Sequence, residues 1–228
     1  YFSERALRGI GAVELVLPLL HGLADFPQLL RATLLITEGN RIAHALDDTR
    51  QTGGVRYNFE SHRLEDVFTF NDFDPEVLRT PIHPLHLVTE YCGHMYSTKH
   101  FDNTERLTEH TRRHAHVQSQ AAFTPGIAGA IGWCAFDYNT HYDFGSGDRV
   151  CYHGVADMFR LPKFAASVYR AQCSPSEEVV LDPAFHWSRG DVPRGGVVRG
   201  AIINSNCDQI KFFLGDSPAG ELLPCKEL

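Results

Sequence analysis

Along this chain, short apolar runs alternate with longer amphipathic stretches. "ATLLIT" (32–37), "EDVFTFN" (65–71) and "LHLVTE" (85–90) read as strands, because β-branched and aromatic residues crowd into a few positions bounded by polar ones. "TGGVR" (52–56) reads as a short strand whose glycines allow two backbones to approach closely. "IAGAIGWCAFDY" (127–138) is apolar throughout, as in a strand buried on both faces. Between these runs, "NRIAHALDD" (40–48) predicts a helix with Asn40 as N-cap. The polar stretch 103–122 predicts a second helix. Residues 155–172 predict a third, with Pro162 early or at a kink. Strand, loop and helix in repetition is the pattern of a parallel α/β sheet. In such sheets functional groups gather at the carboxyl ends of strands, and Asn71, Glu90 and Asp137 all stand at predicted ends. From about residue 175 the rhythm shortens. Apolar pieces separated by Gly190-Asp191 and Gly215-Asp216 predict short antiparallel strands, hence an all-β module.

Composition narrows the classes. With 228 residues, 43% of them hydrophobic, the chain can bury one sizeable core, or one large domain and a small one. A net charge of −7 and a pI near 6.0 argue against a nucleic-acid binder, which needs a basic face. The longest apolar stretch, 11–26, is interrupted by Glu14, Pro18, His21 and Asp25, so no membrane span is predicted. The first residue is Tyr1 rather than Met, without the pattern of a signal peptide, and we expect further sequence upstream. None of the six cysteines is in C-x-x-C spacing; scattered reduced thiols fit better than a disulfide framework and favour a cytoplasmic setting.

The chemistry concentrates around Glu90. "TEYCGHM" (89–95) puts a carboxylate where an apolar run stops, followed at once by aromatic, sulfur and imidazole groups. Trp133 and Tyr138 flank another strand end, with Asp137 between them. Sugars present flat apolar faces and many hydroxyls, so a sugar site wants aromatic platforms beside carboxylates and amides. Asn71, Asp72, Glu90, Trp133 and Asp137 supply those types, although aromatics at strand ends also serve simply as core. His94 and His100 follow Glu90 closely enough to reach the same cleft, and His141 and His153 lie on the loop side of the next strand. In "HTRRHAH" (110–116), His110 and His114 have the i, i+4 spacing of a zinc pair, but the H-E-x-x-H order is absent and a solvated helix face is expected. "GSGD" (145–148) lacks the phosphate-loop patterns and reads as a plain loop; no G-x-S-x-G elbow is present.

Together, "NRIAHALDDTRQTGGVR", "EDVFTFNDF", "TEYCGHMYSTKHFDN" and "GAIGWCAFDYNTHYDFGSGDRVCYHGVADMFRLPK", within residues 40–172, resemble glycoside hydrolase family 2, most of all its bacterial β-galactosidase-type members. "NSNCDQIKFFLGD" (204–216) is similar to the start of the immunoglobulin-like domain that follows the barrel there. The resemblance implies an α/β fold: the second half of a (β/α)8 TIM barrel over 1–173, then an incomplete immunoglobulin-like β-sandwich over 174–228. It implies a retaining β-glycosidase acting on terminal β-D-galactosides. Glu90 would be the nucleophile, and Trp133, Asn71, Asp137 and His94 would contact the sugar. The family's acid/base glutamate follows an asparagine. The stretch 9–38 holds no Asn-Glu pair, and Glu38, closing "LLITE", is the nearest substitute. No organic cofactor is implied; relatives can hold Mg²⁺ or Na⁺, but no ligand set here demands a metal. The partners implied are a carbohydrate substrate and the N-terminal half of the barrel, from upstream sequence or another chain, since half a barrel leaves sheet edges open. The alternatives are a non-catalytic segment that at most binds carbohydrate, or the same scaffold with β-glucuronidase or β-mannosidase specificity.

Overall fold

The computed structural model describes residues 28–54, 63–74, 76–142, 147–187 and 200–225. The apolar stretch 11–26, the pieces 55–56 and 145–146, and the segment 188–199 of the all-β region lie outside them. Helix α1, Gln28–Leu46, absorbs both "ATLLIT" and "NRIAHALDD". The strand expected at 32–37 is therefore helical, and Asn40 stands in the helix interior rather than at its N-cap. A short apolar run has no periodicity of its own to decide between the two. Thr33, Ile36, Asn40 and His44 supply it, since their spacing puts these half-buried positions on one face. That face ties down the following segment. Asn40 Nδ2 donates to the Leu64 carbonyl at 3.0 Å, Asn40 Oδ1 accepts from the Thr52 hydroxyl at 2.6 Å, and His44 Nε2 lies 2.8 Å from Asp66 Oδ2. Residues 52–54 are irregular rather than a strand, yet the close approach expected of "GG" is there: a Cβ on Gly53 would stand 2.8 Å from Thr69 Cγ2.

Three strands form the central sheet, β1 (Phe68–Asn71), β2 (His86–Glu90) and β3 (Ile127–Ala130), all parallel and in that order. Parallel strands bring their carboxyl ends to one side, and a register shift after Phe70 sets Asn71 opposite Glu90. The long connection from β2 to β3 contains helix α2, Thr104–Phe123, capped by Asn103, whose Oδ1 accepts the Arg106 N–H at 2.9 Å. Its buried face comprises Leu107, His110, Thr111, His114, Val117 and Ala121. Val117 and Ala121 join Leu78, Val88, Tyr91 and Cys92 in the core. His110 and His114 therefore belong to the interior, which corrects the expectation of a solvated face.

β3 is shorter than the run 127–138 suggested. Its ladder partner β2 ends at Glu90, and the chain there turns into a 3₁₀ turn, Gly93–Tyr96. With nothing alongside, regular pairing stops. A single bridge joins Cys92 to Trp133, and Tyr138–Asn139 (β4) pairs instead with Val150–Cys151 (β5), antiparallel. The predicted helix at 155–172 contracts to α3, Ala166–Arg170. Asp157 Oδ1 accepts the N–H groups of Phe159 and Leu161 at 2.9 and 2.8 Å, and Pro162 lacks the N–H a helix would use, so 157–161 closes as a turn.

The last part is antiparallel, as its rhythm predicts. Leu181–Pro183 (β6) pairs with Ile203–Ser205 (β7), and Ile210–Leu214 (β8) with Ser217–Leu222 (β9). Gly215, at φ 58°, and Asp216 make the tight turn between β8 and β9. The β6–β7 pair sits against α2 and α3: Thr108 Oγ1 donates to the Ala184 carbonyl at 2.5 Å and Ser167 Oγ to Asp182 Oδ2 at 2.7 Å. All six cysteines are free, and no described helix is long and apolar enough to cross a membrane.

Candidate functional site

The carboxyl end of the sheet assembles the candidate site. Glu90 is the last residue of β2 and is half-buried. Its carbonyl accepts the Asp72 N–H at 2.9 Å, and Thr89 Oγ1 donates to Asn71 Oδ1 at 2.8 Å, so β1 and β2 are locked together at the point where Glu90 emerges. The ladder then continues into the loops. Trp133 N donates to the Tyr91 carbonyl at 3.1 Å, and Gly93 N to the Trp133 carbonyl at 3.0 Å. One hydrogen-bonded frame therefore holds both Glu90 and Trp133. Gly93 has φ 51°, and a Cβ there would stand 3.3 Å from Trp133 Cδ1, so glycine suits both the turn and the indole.

Trp133 is 39% exposed. Its Nε1–H donates to the Tyr138 hydroxyl at 3.1 Å, and the two rings meet edge to face. Behind them lies His153, almost fully buried, its Nδ1 3.5 Å from the same hydroxyl. Burial, with a contribution from His94, lowers the His153 pKa to about 4, so this imidazole is neutral at physiological pH. Burial pushes Tyr138 up to about 12, which keeps its phenol a neutral donor. His94, exposed on the 3₁₀ turn, packs its ring edgewise on Phe73 with centroids 4.9 Å apart. A carboxylate at a strand end, an open indole face and neutral hydroxyl and imidazole groups form a site suited to a polar, uncharged ligand with an apolar face.

Three predicted site residues stand elsewhere. Asp137 is buried, and its Oδ1 is occupied by Lys163 Nζ at 2.6 Å and the Gly154 N–H at 2.8 Å. Its carboxylate anchors loops rather than facing the cleft, which corrects its assignment to ligand binding. Asp72 is likewise a loop anchor, accepting the Arg79 N–H at 2.8 Å. Glu38 lies on α1 rather than at a strand end, forked by Arg41 at 2.5 and 2.8 Å. The Arg41 hydrogen bonds hold its carboxyl below the ordinary carboxylate value. A proton donor at neutral pH needs the opposite shift, so Glu38 does not fit the acid/base role.

A buried polar chain that the sequence did not announce lies directly behind Glu90. Tyr91 and Tyr169 join hydroxyl to hydroxyl; Gln118 Nε2 donates to Tyr91 at 2.7 Å; His114 Nδ1 is 2.8 Å from the Tyr169 hydroxyl, and His114 Nε2 is 3.1 Å from His110 Nε2. Burial lowers the His114 pKa to about 3 and that of His110 well below its ordinary value. The signal that could have found this chain is the stripe Leu107, His110, His114, Val117, Ala121. Its apolar members put both histidines on the core face. The pair has no third His, Cys, Asp or Glu placed to complete a metal site among the described residues.

Gly154 shows how tightly the loops fit. A Cβ there would lie 2.3 Å from Asp137 N, 2.3 Å from the Phe136 carbonyl carbon and 2.4 Å from the Ala156 oxygen. These neighbours are backbone and cannot swing aside. Gly154→Ala is expected to cost about 3 kcal/mol, the upper end of ordinary overpacking, read as a lower urea midpoint.

The chain is 54% identical over 188 residues to a β-galactosidase of Thermoanaerobacterium thermosulfurigenes, covering 78% of this chain and 26% of that relative. It is 46% identical over 197 residues to a β-galactosidase of Thermoanaerobacter pseudethanolicus, covering 82% and 25%. It thus spans about a quarter of the length of these curated relatives. Among solved structures, its fold matches a Parabacteroides merdae β-glucuronidase with TM-score 0.60 at 16% identity, covering 89% of this chain and 29% of that one. It also matches a GH2 β-galacturonidase from Eisenbergiella tayi with TM-score 0.51 at 14% identity, covering 64% and 30%. No protein-family model matches the chain.

Proposed function

Since this chain belongs to the β-galactosidase-like members of glycoside hydrolase family 2, we propose that it carries the nucleophile side of a retaining β-glycosidase site, with Glu90 as nucleophile. The observation that carries this reading is the shared frame that holds a strand-end carboxylate and a half-exposed indole side by side. Glu90 attacks the anomeric carbon to form a glycosyl-enzyme, Trp133 stacks on the apolar face of the sugar, and Asn71 and His94 line the same rim. In a retaining site a second carboxyl group stands about 5–5.5 Å from the first, protonates the leaving oxygen and then activates water. We assign that group to the part of the barrel supplied by upstream sequence or by another chain. On this reading residues 1–173 form the second half of a (β/α)8 barrel, and 174–228 begin an immunoglobulin-like domain. The half-barrel's open edges pair with the missing strands.

The substrate we propose is a terminal β-D-galactoside. The relatives named β-galactosidase, at 46–54% identity, support this sugar. The test is proton NMR of an aryl β-galactoside digest in the full-length protein. β-Galactose is expected as the first anomer, with the matching β-glucuronide turned over more slowly. α-Galactose appearing first, or a preference for the glucuronide, would overturn the reading.

A further inference from the structure

Three loops carry the groups around Glu90; one buried cation touches two of them and reaches the third through its carboxylate partner. Lys163 Nζ donates to the Thr98 carbonyl at 2.6 Å, just beyond the 3₁₀ turn that bears His94. It donates also to Asp137 Oδ1 at 2.6 Å, one residue before Tyr138 and four after Trp133. The same Oδ1 accepts the N–H of Gly154, next to His153. Main-chain bonds repeat the pattern: Cys134 N donates to the His153 carbonyl at 3.1 Å, Lys163 N to the Val155 carbonyl at 2.8 Å, and Thr98 N to the Tyr152 carbonyl at 2.9 Å. The Lys163 side chain is 0% exposed and that of Asp137 2%.

An isolated ion pair this deep is costly to desolvate, and an apolar pair of similar volume is often as stable. A fully buried ammonium therefore needs a reason beyond stability. An ammonium offers three donors from a single point, and here two of them fix the separation between the loop after β2 and the loop after β3.

We propose that Lys163 is a positioning residue of the sugar site: it does not touch the ligand, but through Asp137 and Thr98 it sets the spacing of Trp133, Tyr138 and His153 relative to Glu90 and His94. The inference rests on the reading of Trp133 as the sugar platform, and its physical content is a local one. Without the ion pair the three loops lose their mutual spacing, while the sheet and α2 keep theirs.

The experiment uses the double variant Asp137→Asn/Lys163→Met in the full-length protein, which removes both charges and leaves an amide oxygen for Gly154. Hydrogen–deuterium exchange of the peptides spanning 97–99, 133–138 and 152–156 is expected to quicken at least tenfold, while the peptide spanning 86–90 is unchanged. KM for an aryl β-galactoside is expected to rise about tenfold with kcat altered less than threefold. If the double variant does not fold, Asp137→Asn alone, which preserves volume and the Gly154 bond, is read in the same way. Unchanged exchange and KM in a folded variant, or an equal quickening of all peptides including 86–90, would overturn the proposal. Exchange requires no sugar. Localised quickening in a protein that never turns over galactosides would leave the positioning intact and sink the glycosidase reading instead.

Discussion

Replacing Glu90 by glycine in the full-length protein is expected to lower turnover of an activated aryl β-galactoside by about 10⁴-fold or more, the scale seen when a covalent nucleophile is removed. Added azide is expected to restore a substantial part of that rate, with α-galactosyl azide as the product. The reasoning is stereochemical. A retaining enzyme displaces the leaving group from the α face of a β-glycoside, with the nucleophile beneath the ring. Glycine leaves a hole at that position, azide enters it, and a single displacement then inverts the anomeric centre. An activated leaving group departs without full acid assistance, so the assay isolates the nucleophile from the proton donor. β-Galactosyl azide would put Glu90 on the acid/base side of the site. Rates unchanged by the substitution would remove it from catalysis.

The second large effect concerns stability. His110 and His114 are buried against each other and against Tyr169, and both are held neutral, His114 with a pKa of about 3. The unfolded chain binds a proton at each imidazole as pH falls through about 6.5, while the folded chain does not. The unfolded state thus holds more protons between these values, and stability must fall as pH falls. His114, with its folded value near 3, contributes roughly 1.4 kcal/mol per pH unit below about pH 6.5, or about 2 kcal/mol by pH 5, and His110 adds in the same direction. Urea midpoints measured at pH 7.5, 6 and 5 are expected to drop steeply. In His110→Leu the slope should be shallower, because one depressed imidazole is gone while His114, His153 and His86 still resist protonation in the folded chain. A flat profile in the parent protein would show that the pair is not buried as described. Tyr91 and Tyr169 give the opposite arm: burial raises both phenols, so the unfolded chain releases protons first above pH 10 and stability declines there too.

How much of this was legible in the sequence depends on where the deciding information lies. Phe68–Asn71 and His86–Glu90 could be read directly, because their β-forming runs are bounded by polar residues and the next strand lies alongside. Gly215-Asp216 was equally plain, since a tight turn acts within a few residues. Position alone placed Glu90 at a strand end, and Trp133 could be singled out for the same reason. Residues 32–37 misled because six apolar and β-branched positions fit either element, and the helical face emerges only when Asn40 and His44 are counted with them. Residues 155–172 misled because Asp157 captures two N–H groups that a helix would have used.

Charged residues were the hardest to place. Asp137 has the sequence setting of a ligand-binding carboxylate, and its role is decided by Lys163, which lies beyond another pair of strands. Glu38 has the setting of a strand end, and its role is decided by Arg41 one helical turn on. His110 and His114 have a metal-like spacing, and their role is decided by Tyr169, far along the chain. For Asp137 and for the two histidines the residue's chemistry is local but its partner is not. A buried polar group takes its function from the partner that satisfies it.

Inactivating the full-length protein with 2-deoxy-2-fluoro-β-galactosyl fluoride and mapping the labelled peptide identifies the nucleophile. The fluorine slows release of the glycosyl-enzyme, so the nucleophile retains its sugar. One fluorogalactosyl group per chain is expected, on Glu90, and none in Glu90→Gln. A label on a different carboxylate, or a folded protein that takes up no label, would contradict that assignment.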